Sequence, residues 1–137
     1  MFSAQERAYL QSQALARLGT VASNDQTDVD SVAFAFDGER FYIGGYFLEN
    51  TRKYKNIASG QGKVCLLIDD LKTLEPFEPR GIKLHGDAEI ATLQEGFRGP
   101  GTYLVITPRV SWSWGIEEPL FQNGQPAQPV MKKIRWK

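Results

Sequence analysis

The chain has 137 residues, 42% of them hydrophobic, and its sixteen basic and sixteen acidic side chains cancel at neutral pH. That length supports one compact domain over 1–137, and the charge balance argues against a nucleic-acid or anionic-membrane surface. A lone cysteine excludes an internal disulfide, no run approaches the roughly 20 apolar residues that span a bilayer, and MFSAQERAYL carries no apolar leader, so the expectation is a soluble cytoplasmic protein.

Ser3 and Glu6 have capping-box spacing, and Ala8, Leu10, Ala14, Leu15 and Leu18 follow at roughly helical intervals up to Gly19. One N-terminal helix is predicted there. TVAS is a short strand signal. VDSVAFAF and RFYIGGYF flank Asp37-Gly38, which predicts a hairpin. After that hairpin Asn50 or Thr51 can cap a short helix. KVCLLIDD reads as a buried strand, with Cys65 as a small core residue. GIKLHGDAEIAT alternates and reads as another strand. GTYLVITPRVSWSW is a long strand interrupted or bent at Pro108, and MKKIRWK a last strand closing the sheet. Gly99 to Gly101 and Asn123 to Pro129 read as turns. Six or seven strands with two helices predict a mainly β fold, a small barrel with helical additions.

ENTRKYKN concentrates Arg52, Lys53 and Lys55 beside capping residues in a chain without net charge. On a helical wheel Tyr54, Ile57 and Ala58 share one arc, and Arg52, Lys53, Lys55 and Asn56 the other. Such an arc is either a solvated face or a phosphate receptor. For the second, a helix start offers free N–H groups, Arg a fork of donors and Lys a compact charge.

Gly44-Gly45 permits a bend or a close approach to a flat ligand. Trp112 and Trp114 point to one side of a strand, as core packing, a ring pocket or a subunit contact. Lys133 and Arg135 alternate with Ile134 and Trp136, giving a positive and an apolar face. One His and one Cys cannot make an ordinary zinc site. His85 is expected to be a hydrogen-bonded structural residue, although a Cys65–His85 pair is conceivable. Walker, dinucleotide-binding and nucleophile-elbow motifs are absent from the sequence.

Apolar strand, polar turn, Thr51-Arg52-Lys53, short helix and apolar strand together resemble the pyridoxamine 5′-phosphate oxidase family, whose flavin-binding members grip the FMN phosphate with Ser-Arg-Lys at this place. The deazaflavin-dependent branch carries Ser/Thr-x-Lys-x-x-Asn, and Thr51, Lys53 and Asn56 match it. PRGIKLHGDAEI resembles the family strand with Gly-x-Ala-Glu, here Gly86 to Glu89. VITPRVSWSWG resembles the Trp-bearing strand, here Trp114. KKIRW resembles the family's last strand, which often supplies an Arg to the cofactor, and the resemblance implies that role for Arg135. The resemblance implies a split β-barrel of the FMN-binding type with an N-terminal helix and a short helix after the first hairpin. It also implies a homodimer with cofactor clefts between subunits. The sequence departs from the vitamin B6 oxidases: it is short, VDSVAFAF brings no basic residue, and the C-terminus has no His. It is more similar to the short members that use coenzyme F420. The implied function is hydride transfer between F420, with FMN as the alternative, and a small conjugated or quinone-like substrate. A non-catalytic flavin or haem carrier is the rival reading. No catalytic residue is singled out, because in such enzymes the cofactor carries the hydride.

Overall fold

The structure is a computed structural model that describes residues 1–126 and 131–137. Helix α1 covers Ala4–Gln11. Strands β1 (Leu15–Val21), β2 (Thr27–Phe36) and β3 (Phe41–Ile43) follow, then a 3₁₀ turn (Leu48–Asn50) and helix α2 (Arg52–Ala58). Strands β4 (Lys63–Leu71), β5 (Pro79–Leu93) and β6 (Gly101–Trp114) complete the barrel. A small hairpin of β7 (Phe121–Gln122) and β8 (Gln125–Pro126) leads towards β9 (Lys132–Arg135).

The sheet order is β3-β2-β1-β4-β5-β6-β9, and β3 also pairs with β6. That extra pairing closes six antiparallel strands into a barrel, which removes their free edges. Strand β6 is shared between two partners. Its first half, Leu104 to Ile106, meets β3, and its second half, Val110 to Ser113, meets β9. The switch falls at Pro108, which has no N–H to give a ladder, and the register with β5 shifts there: His85 pairs with Val110 and Gly86 with Pro108, so Arg109 is the extra residue of a bulge in β6. A side chain at Gly86 would run into the Thr107 carbonyl. The strand is therefore not interrupted at Pro108 but continues through it with a bulge and a change of partner.

Inward residues fill the barrel: Leu18, Phe41, Ile43, Leu66, Ile68, Ile82, Leu84, Leu104 and Ile106 are all buried. Phe2 packs edge-on against Phe36 and Trp136, which closes one end. Helix α2 contacts β1, β2 and β5 at the other end.

The first helix is shorter than its apolar spacing implies. Its capping box is present, with both the Ser3 and Glu6 side chains bonded to backbone N–H groups. It stops at Ser12, whose hydroxyl donates to the Tyr9 carbonyl at 2.6 Å and competes for the helical bond. From Leu15 onward burial alternates, with Ala16, Leu18 and Thr20 inward, so the chain is a strand through Val21. TVAS is the end of that strand and the turn after it.

The hairpin forms as expected. Asp37 Oδ1 accepts from the N–H groups of Glu39 and Arg40, both at 2.8 Å. Strand β4 is buried on one face only. Val64, Leu66 and Ile68 point inward, and Cys65 is exposed rather than a core residue. Part of the loop expected at Asn123 to Pro129 is the β7–β8 turn, with Asn123 and Gly124 at positive φ; 127–130 lie outside the described residues.

Candidate functional site

Helix α2 begins where the sequence places it. Thr51 adopts extended φ/ψ, and its Oγ1 accepts from the Tyr54 N–H at 3.3 Å. The same hydroxyl donates to the Leu48 carbonyl at 2.6 Å, tying the 3₁₀ turn to the helix. No acidic side chain lies in the first turn of α2. Arg52 and Lys55 are exposed.

Lys53 and Asn56 are not on the solvent arc. Together with Ile57 they form the buried face, while Ala58 is exposed. The face tolerates polar groups because each finds a partner. Lys53 Nζ donates to Asp30 Oδ2 at 2.6 Å, and Asn56 Nδ2 donates to Thr20 Oγ1 at 3.0 Å. Thr20 pairs with Asp28 near one end of the β1–β2 ladder, and Asp30 pairs with Leu18 at its middle. Helix α2 is thus anchored over that ladder by polar contacts as well as by Ile57.

Trp114 and Arg135 lie elsewhere in the chain. Trp114 ends β6, pairs with Gly81 and covers that glycine with its indole. Arg135 pairs with Val110 and lines a groove of about 550 Å³ with Met1, Arg40, Pro108 and Trp136. One chain therefore assembles Thr51, Arg52, Lys53 and Asn56, and leaves Trp114 and Arg135 apart from them. The alternation expected in the last strand is present. Ile134 and Trp136 pack on the core, Trp136 Nε1 donates to Ser111 Oγ at 3.0 Å, and Lys133 and Arg135 are exposed.

The outer face of β1, β2, β4 and β5 carries a groove that sequence reading missed. It encloses about 630 Å³, lined by Gly19, Val21, Val29, Cys65, Leu67 and His85 among others. Cys65 and His85 face each other across the ladder, and Gly19 has no room for a side chain against the Cys65 sulfur. His85 is exposed and meets Trp112 edge to face at 4.9 Å, so its surroundings are aromatic. Lys83 Nζ sits over the Trp112 ring, 4.8 Å from its centre. Ion pairs Arg17–Asp69 and Arg109–Asp87 stand at the rim. The signal was the alternation inside KVCLLIDD, which puts Cys65 and Leu67 opposite to Val64 and Leu66.

No family model matches the chain. It is 31% identical over 121 residues to the 5a,11a-dehydrotetracycline/5a,11a-dehydrooxytetracycline reductase of Streptomyces rimosus, covering 85% of this chain and 84% of that protein. The chain belongs to the pyridoxamine 5′-phosphate oxidase-like split β-barrel family. Solved structures share the fold at lower identity. A conserved hypothetical protein from Mycobacterium tuberculosis superposes with a TM-score of 0.66 at 20% identity, covering 84% of this chain and 85% of that one. An F420 reductase superposes with a TM-score of 0.56 at 20% identity, covering 72% and 89%. The family is one of flavin-binding oxidoreductases, and its split barrel is the one described above. No helix among the described residues is long and apolar enough to cross a membrane.

Proposed function

We propose that the chain is a reductase that uses F420 and delivers a hydride to a small conjugated or quinone-like substrate. The observation that carries this reading is the similarity, across most of both chains, to a reductase. The donors at α2 fit a cofactor phosphate: a Thr-capped helix start, exposed cations at Arg52 and Lys55, and no acid in the first turn. F420 or FMN would supply the hydride chemistry. Thr51, Arg52 and Lys53 bind and orient the phosphate. Asn56 holds the helix in place through Thr20, and the Lys53–Asp30 contact loosens or is shared when an anion arrives.

The working unit is a symmetric homodimer. Its contact is the outer groove, with an apolar centre at Val29, Cys65 and Leu67 and charges of both signs around it. A second copy supplies Trp114 and Arg135 to a cleft that neither chain forms alone.

Mass spectrometry of the cofactor retained by protein purified from a host that makes both FMN and F420 tests this. F420 is expected, and the loaded protein should reduce an added quinone. Bound haem, or a loaded protein that reduces no acceptor, would favour a carrier.

A further inference from the structure

The segment between β3 and the 3₁₀ turn presents two neighbouring aromatic side chains to solvent. Tyr46 is 84% exposed and Phe47 77% exposed. Most exposed apolar side chains elsewhere on the chain are aliphatic, and two adjacent exposed rings are costly to leave in water. Phe47 also holds a left-handed backbone, with φ 54° and ψ 40°. Bulky residues rarely adopt that conformation, and such residues cluster at ligand sites.

A second loop faces this one. Tyr103, itself buried, fixes it from below: its hydroxyl donates to the Gly99 carbonyl at 2.6 Å and accepts from the Arg98 N–H at 3.0 Å. Arg98 is thereby aimed across the gap, with its guanidinium carbon 4.7 Å from the Tyr46 ring centre. A side chain at Gly44 would press on Tyr103 and on the Arg98 stem, so glycine there lets the loops approach. Arg98 makes no ion pair among the described residues. The groove between the loops holds about 260 Å³, and Glu49 stands at its edge.

We infer that Tyr46, Phe47 and Arg98 form a binding platform for a planar, conjugated ring compound carrying an ionised enol or phenol. The rings offer flat faces for stacking. The guanidinium sits over the Tyr46 ring and offers its fork of donors to the enolate oxygen. Glu49 can accept a hydrogen bond from a neutral hydroxyl of the same ligand and disfavours ligands with a second negative charge. The 3₁₀ turn connects this platform directly to Thr51, so the ligand binds beside the α2 donors. The inference gives the substrate site of the proposed reductase and rests on that reading for its catalytic meaning, though not for binding itself.

Calorimetric titration of the full chain with two probes tests it: lawsone, a hydroxynaphthoquinone ionised at neutral pH, and menadione, its neutral methyl counterpart. Lawsone should bind more tightly than menadione. Arg98→Gln should weaken lawsone about tenfold and leave menadione within about twofold, the pattern for a lost charge-assisted bond. Tyr46→Ala should weaken both about tenfold, as for lost stacking. Lys53→Ala should weaken lawsone less than Arg98→Gln does. Failure of wild-type chain to bind lawsone, or equal affinities in wild type, Tyr46→Ala and Arg98→Gln, would overturn the inference. A loss with Lys53→Ala equal to that with Arg98→Gln would put the probe in the cofactor site and overturn it too, with the proposed function left standing. A dimer that falls to monomers in light scattering when Tyr46 and Phe47 become Ala, with lawsone affinity unchanged, would make the patch a contact between copies and overturn it as well. If F420 fails to bind while the platform variants behave as expected, the reductase reading falls and the platform remains.

Discussion

Lys53 is turned inward from a helix of seven residues, with only 9% of its side chain exposed. Lysine is rarely buried without a partner, and Asp30 supplies one at 2.6 Å while remaining half exposed itself. The pair gives the ammonium a fixed position and leaves one side of the carboxylate in water. Lys53→Ala is expected to weaken F420 binding by about 1–3 kcal/mol, the range for a lost charge-assisted hydrogen bond. Lys55→Ala should do less, since Lys55 is exposed. Titration calorimetry separates the two, and equal, negligible effects would return the stretch to a solvated face. The cation run and its Thr51 cap were legible in ENTRKYKN. The inward turn of Lys53 and Asn56 was not. A helical wheel sorts residues by polarity, and here the buried face is polar because Asp30 and Thr20, distant in sequence, meet it.

Helix α1 is clasped to the far end of the chain by one carboxylate. Glu6 is fully buried and accepts from the Ser3 N–H at 2.8 Å and the Ser113 hydroxyl at 2.6 Å. Lys132 of β9 adds a bond at 3.1 Å and also reaches Glu117. Burial works against the charged form of Glu6, but the bonds from Ser113, Ser3 and Lys132 outweigh it and hold its carboxyl below the ordinary value. Asp70 is likewise lowered, first by its bonds from Arg80. A lowered carboxyl stabilises the fold above its unfolded pKa, and that stability is lost as pH falls through the lower folded value. Glu6→Gln should therefore cost about 2 kcal/mol at neutral pH, and the gap to wild type should narrow below about pH 4. Urea unfolding at several pH values reads this directly, and a gap that widened in acid would contradict it. The capping box made the start of this helix readable. Its end was not, because Ala14, Leu15 and Leu18 fit a helical spacing while Ala16, Leu18 and Thr20 fit a strand. Pairing with β2 and β4 decides between them.

At the scale of the molecule, the order of strands and the irregularity at Pro108 could be read from local patterns, whereas barrel closure could not. Closure joins Phe41 to Ile106, a pairing no local pattern encodes. The exposed outer face escaped notice for a similar reason: one-sided burial of β4 is visible only once its neighbours are known. If that face is shared by two copies, light scattering at micromolar concentration should give twice the 15.4 kDa chain mass. A monomer with cofactor still bound would rule the arrangement out. Cofactor choice also belongs to this scale. F420 continues past its phosphate into an acidic tail, and Arg52 and Lys55 stand exposed where such a tail can pass. Binding of F420 about tenfold tighter than FMN, roughly 1.4 kcal/mol, is expected. The preference should shrink as salt rises, because exposed contacts are screened. Fluorescence titration at low and high salt decides it, and tighter FMN binding would favour the FMN-dependent alternative.

Barrel closure rests on a short seam. Only three residue pairs, Phe41 with Ile106, Tyr42 with Val105 and Ile43 with Leu104, join β3 to β6. Strand β6 is held by β5 along almost its whole length. The barrel can therefore part at this seam while the β5–β6 hairpin stays intact, a local opening of the kind that hydrogen exchange detects. Amides that bridge β3 and β6 should exchange faster than those between β4 and β5. Because β3 runs straight into Gly44 and the loop bearing Tyr46, a ligand seated there would act as a rivet, slowing exchange at a seam it does not touch.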